Sequence, residues 1–341
     1  LEGARLPAEL TVLYELNGRE RQMQLVEQLR MHHRNAMTWD DDSKAAAFVT
    51  AKDSEVIRFG SEVAALVRRE GPRSVNPNLR IAMGMFNALS EYGMSYVIDP
   101  NTPAYVDASA NTQIIDFLQF PRQTFHYRGG DCDDLSILYC ALLEAVGVET
   151  AFITIPGHIF VAISLGITPE EASRFLWDDT LFFEHDEEAW LPLEVTLVGE
   201  SFREAWETGA RQWQENGDAA AVYPMHESWQ LYPAAGWRGE GVTVDALESS
   251  ELESRYRDEM AEIVRRQLTP QVEALRQSIE RSRNPARLLN RLGVLYAQYG
   301  LMDDAEAAFR EALEDGMYVP AMVNLANLHY LNDELPQALE L

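Results

Sequence analysis

Cysteine is scarce in this chain: 341 residues hold only Cys132 and Cys140. On one predicted helix the two stand roughly 12 Å apart along the axis, beyond the about 7 Å between Cα atoms that a disulfide spans. Both are expected as free thiols, which suits a reducing compartment without excluding the periplasm. Positive charge is scarce too. Against 55 Asp and Glu there are 28 Lys and Arg, a formal net charge of −27, which excludes nonspecific binding to nucleic acid or anionic membrane. Long apolar runs are missing: the longest stretch without Asp, Glu, Lys or Arg, Thr150 to Pro169, is broken by Pro156, Gly157 and Gly166. It reads as two strands and a turn, not a membrane span. No Met opens the chain and no signal peptide is visible, so the N-terminus leaves the compartment open between cytoplasmic and periplasmic or extracytoplasmic.

What is present suits a folded protein of two or three domains, with 46% hydrophobic and 10% aromatic residues. Residues 1–75 read as mostly helical, with Leu25, Leu29, Val56, Val63 and Leu66 set among charges. Gly71, Pro72 and Pro77 mark a break. Residues 76–245 form the next unit: a helix from Leu79, a polar loop from Asp99 to Gln113, and an apolar helix through Leu135, Leu138, Leu142 and Val146 that ends at Gly147. Then come two strands, "TAFITI" and "HIFVAISL", joined by Pro156-Gly157, an acidic insertion (Gly166 to Ala189) expected as helix or long loop, and a third strand, "WLPLEVTL", alternating through Leu197. "FREAWETGARQW" reads as a helix, and the Pro-, Gly- and aromatic-rich stretch up to Trp237 as irregular. A charged connecting helix occupies 246–285.

The region 286–341 repeats. Leu292, Gly293 and Ala305 recur as Leu325, Ala326 and Ala338 at a period of 33. With Tyr296, Phe309 and Ala312 this spacing resembles tetratricopeptide repeats, which implies stacked helix pairs that bind a protein partner. His329 stands where the first copy has Tyr296. The second copy stops short of the position equivalent to Phe309, so the natural chain is expected to run beyond Leu341.

The chemistry centres on "GGDCDD" (Gly129 to Asp134), where a thiol lies among three carboxylates at the start of an apolar helix. Nearby negative charge disfavours a thiolate, whereas a helix N-terminus and an imidazolium favour it. Asp131 suits an N-cap, and Asp133 and Asp134 complement the helix dipole. His158 opens a strand after a turn, and Glu194 is isolated opposite aliphatic residues. Thiol, imidazole and orienting carboxylate make an acyl-transfer set. A metal site on the three Asp is the competing reading, but no complete cation-loop pattern accompanies them. Cys140 reads as core packing, Asp40 to Asp42 and Glu184 to Ala189 as solvated, and His32 and His33 lack a ligand set.

The stretches Gly129 to Val148, "PGHIFVAI" and "WLPLEVT" together resemble the bacterial transglutaminase-like family. The resemblance implies an α+β fold with a papain-like core, Cys132 as nucleophile, His158 as base and then acid, and Glu194 at the usual Asp position. It further implies acyl transfer on protein or peptide amides, by hydrolysis or crosslinking, with no cofactor and no metal. Ile159 stands where many members have Trp, and "EVT" replaces "DPT". The alternative is a catalytically weak scaffold that recruits a partner through its repeats.

Overall fold

The computed structural model describes residues 4–98, 115–236, 243–245, 247, 249–314, 316–331 and 334–340. The polar loop expected from Asp99 to Gln113 lies outside them. The chain opens not as the mostly helical segment expected over residues 1–75 but as a hairpin of two 13-residue strands, β1 (Ala4–Leu16) and β2 (Arg19–Met31). Asn17 and Gly18, at φ +55° and +72°, form its two-residue turn. Leu25 and Leu29 share a face in either period, because a spacing of four fits a strand as well as a helix. The alternation in β1 decides for the strand, with Leu6, Ala8, Leu10 and Val12 on one side and Arg5, Glu9 and Thr11 on the other.

The helical reading holds further on. After the short strand β3 (Ala36–Thr38) and a 3₁₀ turn at Asp42–Phe48 come α1 (Ser54–Glu70) and α2 (Pro77–Glu91). Asp53 and Asn76 cap their N-termini. Two short strands, β4 (Ser95–Tyr96) and β5 (Ile115–Phe117), precede α3 (Pro121–Tyr127), β6 (Gly129–Gly130) and α4 (Cys132–Ala145). β3 pairs with β5, and β4 runs parallel to β6. From Asp133 to Leu143 every residue of α4 is buried, polar ones included.

Beyond α4 lie β7 (Thr150–Ile155), β8 (His158–Ser164), α5 (Pro169–Phe175), β9 (Phe183–His185), β10 (Glu188–Leu193), α6 (Phe202–Asn216), β11 (Ala221–Pro224) and α7 (Met225–Leu231). The strands form one antiparallel sheet in the order β11-β7-β8-β10-β9. Two expectations are corrected here. The acidic insertion contains α5 and, at its end, a strand hairpin turning at Asp186-Glu187, both with positive φ. The stretch before Trp237 carries β11 and α7, because Ala221 to Pro224 find an open sheet edge at β7. On one sheet face Phe152, Ile159, Val161, Ile163, Leu191 and Leu193 join the main core with α4; on the other, Phe160, Ala162, Phe183 and Trp190 pack with Trp213.

The 32-residue helix α8 (Ser249–Glu280) packs on α1, α2 and α6 and leads to two helix pairs, α9 (Ala286–Gln298) with α10 (Met302–Glu311), and α11 (Val319–Leu331) with α12 (Leu335–Glu340). Gly293 is required by space: a Cβ there would stand 2.5 Å from the Phe309 ring. Among the described residues no helix is long and apolar enough to cross a membrane. The molecule is a mixed α+β fold built on an antiparallel sheet.

Candidate active site

Gly130 lets the chain enter α4 tightly, since a Cβ there would stand 2.4 Å from Cβ of Asp134. Asp131 caps the helix through its side chain, which accepts from the Asp134 N–H at 3.4 Å. This places half-buried Cys132 at the first helical position, where backbone N–H groups lack intrahelical partners.

The structure brings His158 and Glu194 to that thiol. Gly157, at φ +75°, makes the turn that delivers His158 to the start of β8. Its Nε2 lies 2.6 Å from Glu194 Oε2, leaving Nδ1 as the second polar atom of the ring. Burial disfavours the imidazolium. The influence of nearby Cys132 and the hydrogen bond with Glu194 outweigh it and raise the His158 pKa from 6.5 to about 10. Burial works against the Glu194 carboxylate as well, yet contact with His158 and the Thr196 donors holds its pKa below the usual range.

Glu194 differs from expectation in its backbone. β10 stops at Leu193, and Glu194 caps the 3₁₀ turn Val195–Leu197, its Oε1 accepting from Thr196 N at 3.0 Å and Thr196 Oγ1 at 2.5 Å. The alternation expected through Leu197 breaks because this local cap competes with strand continuation. Its own N–H donates to the Ala205 carbonyl at 3.1 Å, so α6 fixes its height.

The carboxylates around Cys132 are buried. Asp131, Asp133 and Asp134 each offer an oxygen within 4.8 Å of the others. Burial foremost, then Asp131, pushes the Asp133 carboxyl well up; burial and Asp131 raise Asp134 to about 8, against hydrogen bonds from Gln119. Asp134 therefore favours the neutral form at pH 7 and burial pushes Asp133 the same way, so these two put less negative charge beside the sulfur than their number suggests.

Two supports were not legible in the sequence. Gln119 donates to Asp134 from its backbone N at 2.6 Å and from Nε2 at 2.5 Å. Trp39 Nε1 donates to Asp116 at 2.8 Å, and Asp116 in turn acts on Asp133. Both reach the helix start from segments distant in sequence, and no spacing rule connects them. Cys140, by contrast, is fully buried, its thiol pushed up by that burial.

Comparison with protein-family models, with curated proteins and with solved structures returned no match.

The His158–Glu194 pair has a pH signature. Its stabilisation needs an ionised Glu194 and is lost as pH falls through that depressed pKa; it is complete up to about 6.5 and lost as pH rises through about 10, because in that upper window only the folded chain holds the proton. Glu194→Gln is expected to lower the His158 midpoint in an NMR titration. The melting-temperature gap between parent and variant is expected to be widest between about pH 4.5 and 6.5 and to narrow towards pH 10.

Proposed function

We propose that the chain is a thiol-dependent acyl-transfer enzyme of the transglutaminase-like, papain-like kind, acting on protein or peptide amides with Cys132, His158 and Glu194. The observation that carries this reading is the convergence on one imidazole: Glu194 is hydrogen-bonded to Nε2 at 2.6 Å and Cys132 stands near enough to act on the ring's proton affinity, the three coming from elements far apart in the chain.

In the proposed cycle the Cys132 thiolate attacks the carbonyl carbon of an amide, forming an Sγ–C bond while helix-start N–H groups hold the oxyanion. The C–N bond then breaks, and imidazolium His158 gives its proton to the departing amine or ammonia. A second nucleophile, water or a primary amine, gives its proton to His158 and displaces Sγ as the thioester breaks. Glu194, held by both Thr196 donors, keeps the ring oriented and its cationic form favoured.

The test is incubation with glutamine-containing peptides, with and without a primary amine, read by product mass. Conversion of Gln to Glu or backbone cleavage is the hydrolytic result, and amine incorporation the crosslinking result; Cys132→Ala is expected to abolish either. No product from any peptide with the parent chain would count against the enzyme reading.

For the C-terminal helix pairs we infer tetratricopeptide repeats that hold a protein segment. The supporting contacts are Phe309 filling the space left by Gly293 and Asn324 Nδ2 donating to Asn290 Oδ1 at 2.9 Å across successive pairs. If Cys132 behaves as an ordinary thiol, this recruiting role stands alone and the domain is a scaffold.

A further inference from the structure

Among the described residues the β1–β2 hairpin has no extensive packing against another element, yet one of its faces is built like the inside of a sandwich. Opposed residues in the register share a face, so Leu6 with Leu29, Leu10 with Leu25 and Val12 with Met23 make an apolar surface broken only by Glu27 opposite Ala8. Leu10 is 58% exposed, Leu25 49% and Leu29 55%. The opposite face carries Arg5, Glu9, Thr11, Gln22, Gln24 and Gln28 with Leu13 and Val26 among them, and is the more polar of the two. A two-stranded hairpin is at best marginally stable alone in water, so this face needs a cover.

We propose that the cover is the same face of a second copy of this chain, stacked antiparallel about a two-fold axis. Two of the three charges on the apolar face point to this occupant; the third, Arg19, stands beside the turn opposite Leu16. Near the open end stands Glu27, opposite Ala8; nearer the turn stands Arg21, opposite Tyr14. These positions lie at equal distances on either side of the midpoint between the Leu10–Leu25 and Val12–Met23 pairs. A two-fold axis at that midpoint lays β2 over β2 and sets Glu27 of each chain against Arg21 of the other. Contacts made twice by symmetry are the mark of an isologous interface. A parallel stacking would leave Glu27 over Ala8 and Arg21 over Tyr14, using neither charge.

Net charge favours the same occupant. The hairpin holds four Arg and four Glu, whereas the whole chain is at −27. It is a part of the molecule that a second copy can approach without the repulsion the rest of the surface imposes.

The experiment is light scattering coupled to size exclusion, and sedimentation velocity, on the full chain up to about 100 μM, a range that detects micromolar association. A dimer is expected. Leu10→Lys with Leu25→Lys is expected to give a monomer. Glu27→Arg alone and Arg21→Glu alone are each expected to weaken association at least about tenfold, and the double exchange to restore it. Because these side chains are exposed, the body should melt unchanged in every variant, which circular dichroism checks. A monomer throughout the range would overturn the proposal. So would open-ended oligomers, a dimer indifferent to the Leu10 and Leu25 changes, or a double exchange that fails to recover. The outcome is independent of whether Cys132 is catalytic.

Discussion

At pH 7, iodoacetamide is expected to alkylate Cys132 at least about 100-fold faster than Cys140, and His158→Ala to slow Cys132 at least about tenfold. The two thiols share a helix but not an environment. Cys140 is sealed in the core with its thiol pushed up. Cys132 stands half-buried at a helix N-terminus, beside an imidazole kept cationic well above neutrality. Removing the ring deletes the positive partner and leaves the dipole. Burial raises Asp134 to about 8 and pushes Asp133 in the same direction, so the pair does little to mask the loss. Peptide mapping after timed labelling reads both sites in one sample. Equal rates at the two cysteines, or indifference of Cys132 to His158→Ala, would remove the case for nucleophilic chemistry.

The second large effect is expected from Gly209→Val. This glycine sits in α6 where the helix crosses β10, and a Cβ there would lie 2.8 Å from Leu193 N and from the Pro192 carbonyl carbon and oxygen. Those are backbone atoms and cannot rotate away. Replacing a mid-helix glycine ordinarily gains up to about 1 kcal/mol, less for a β-branched residue. Overpacking costs typically about 1–3 kcal/mol and more where backbone is struck, so the clash wins. A fall in melting temperature of about 5–10 °C is expected, at about 2–4 °C per kcal/mol. The strain falls one residue before Glu194, whose N–H is tied to α6 through Ala205. Loss of the His158 shift in an NMR titration is therefore expected along with the lower stability. A variant that melts like the parent would show that α6 and β10 can part at no cost.

Cys132, His158 and Glu194 could be singled out because each lies beside a local signal: two glycines and a cap before Cys132, a Pro-Gly turn before His158, an acid among aliphatics at Glu194. The β7–β8 hairpin and the buried helix α4 were legible for the same reason. Less visible was what depends on distant pairing. β11 exists because β7 offers it an edge, and Gln119 reaches Asp134 across a turn of chain with no periodic mark. The opening hairpin was misread because residues four apart share a face in both regular structures, and only the odd-numbered polar partners of β1 break the tie. Counting carboxylates near Cys132 likewise overstated their charge, since burial and mutual repulsion decide protonation and neither shows in spacing.

The long helix α8 runs about 48 Å at about 1.5 Å per residue, seated on α1, α2 and α6 at one end and on α9 at the other. Pro270 contributes no N–H within it, yet the helix continues to Glu280. A stiff beam of this kind differs from a slack leash: if the C-terminal pairs hold a protein segment as proposed, that cargo would be presented at one bearing and one reach from the sulfur. Local concentration at the thiol would then be high for segments of matching length and negligible for others. Selectivity among targets would become partly a matter of measuring distance.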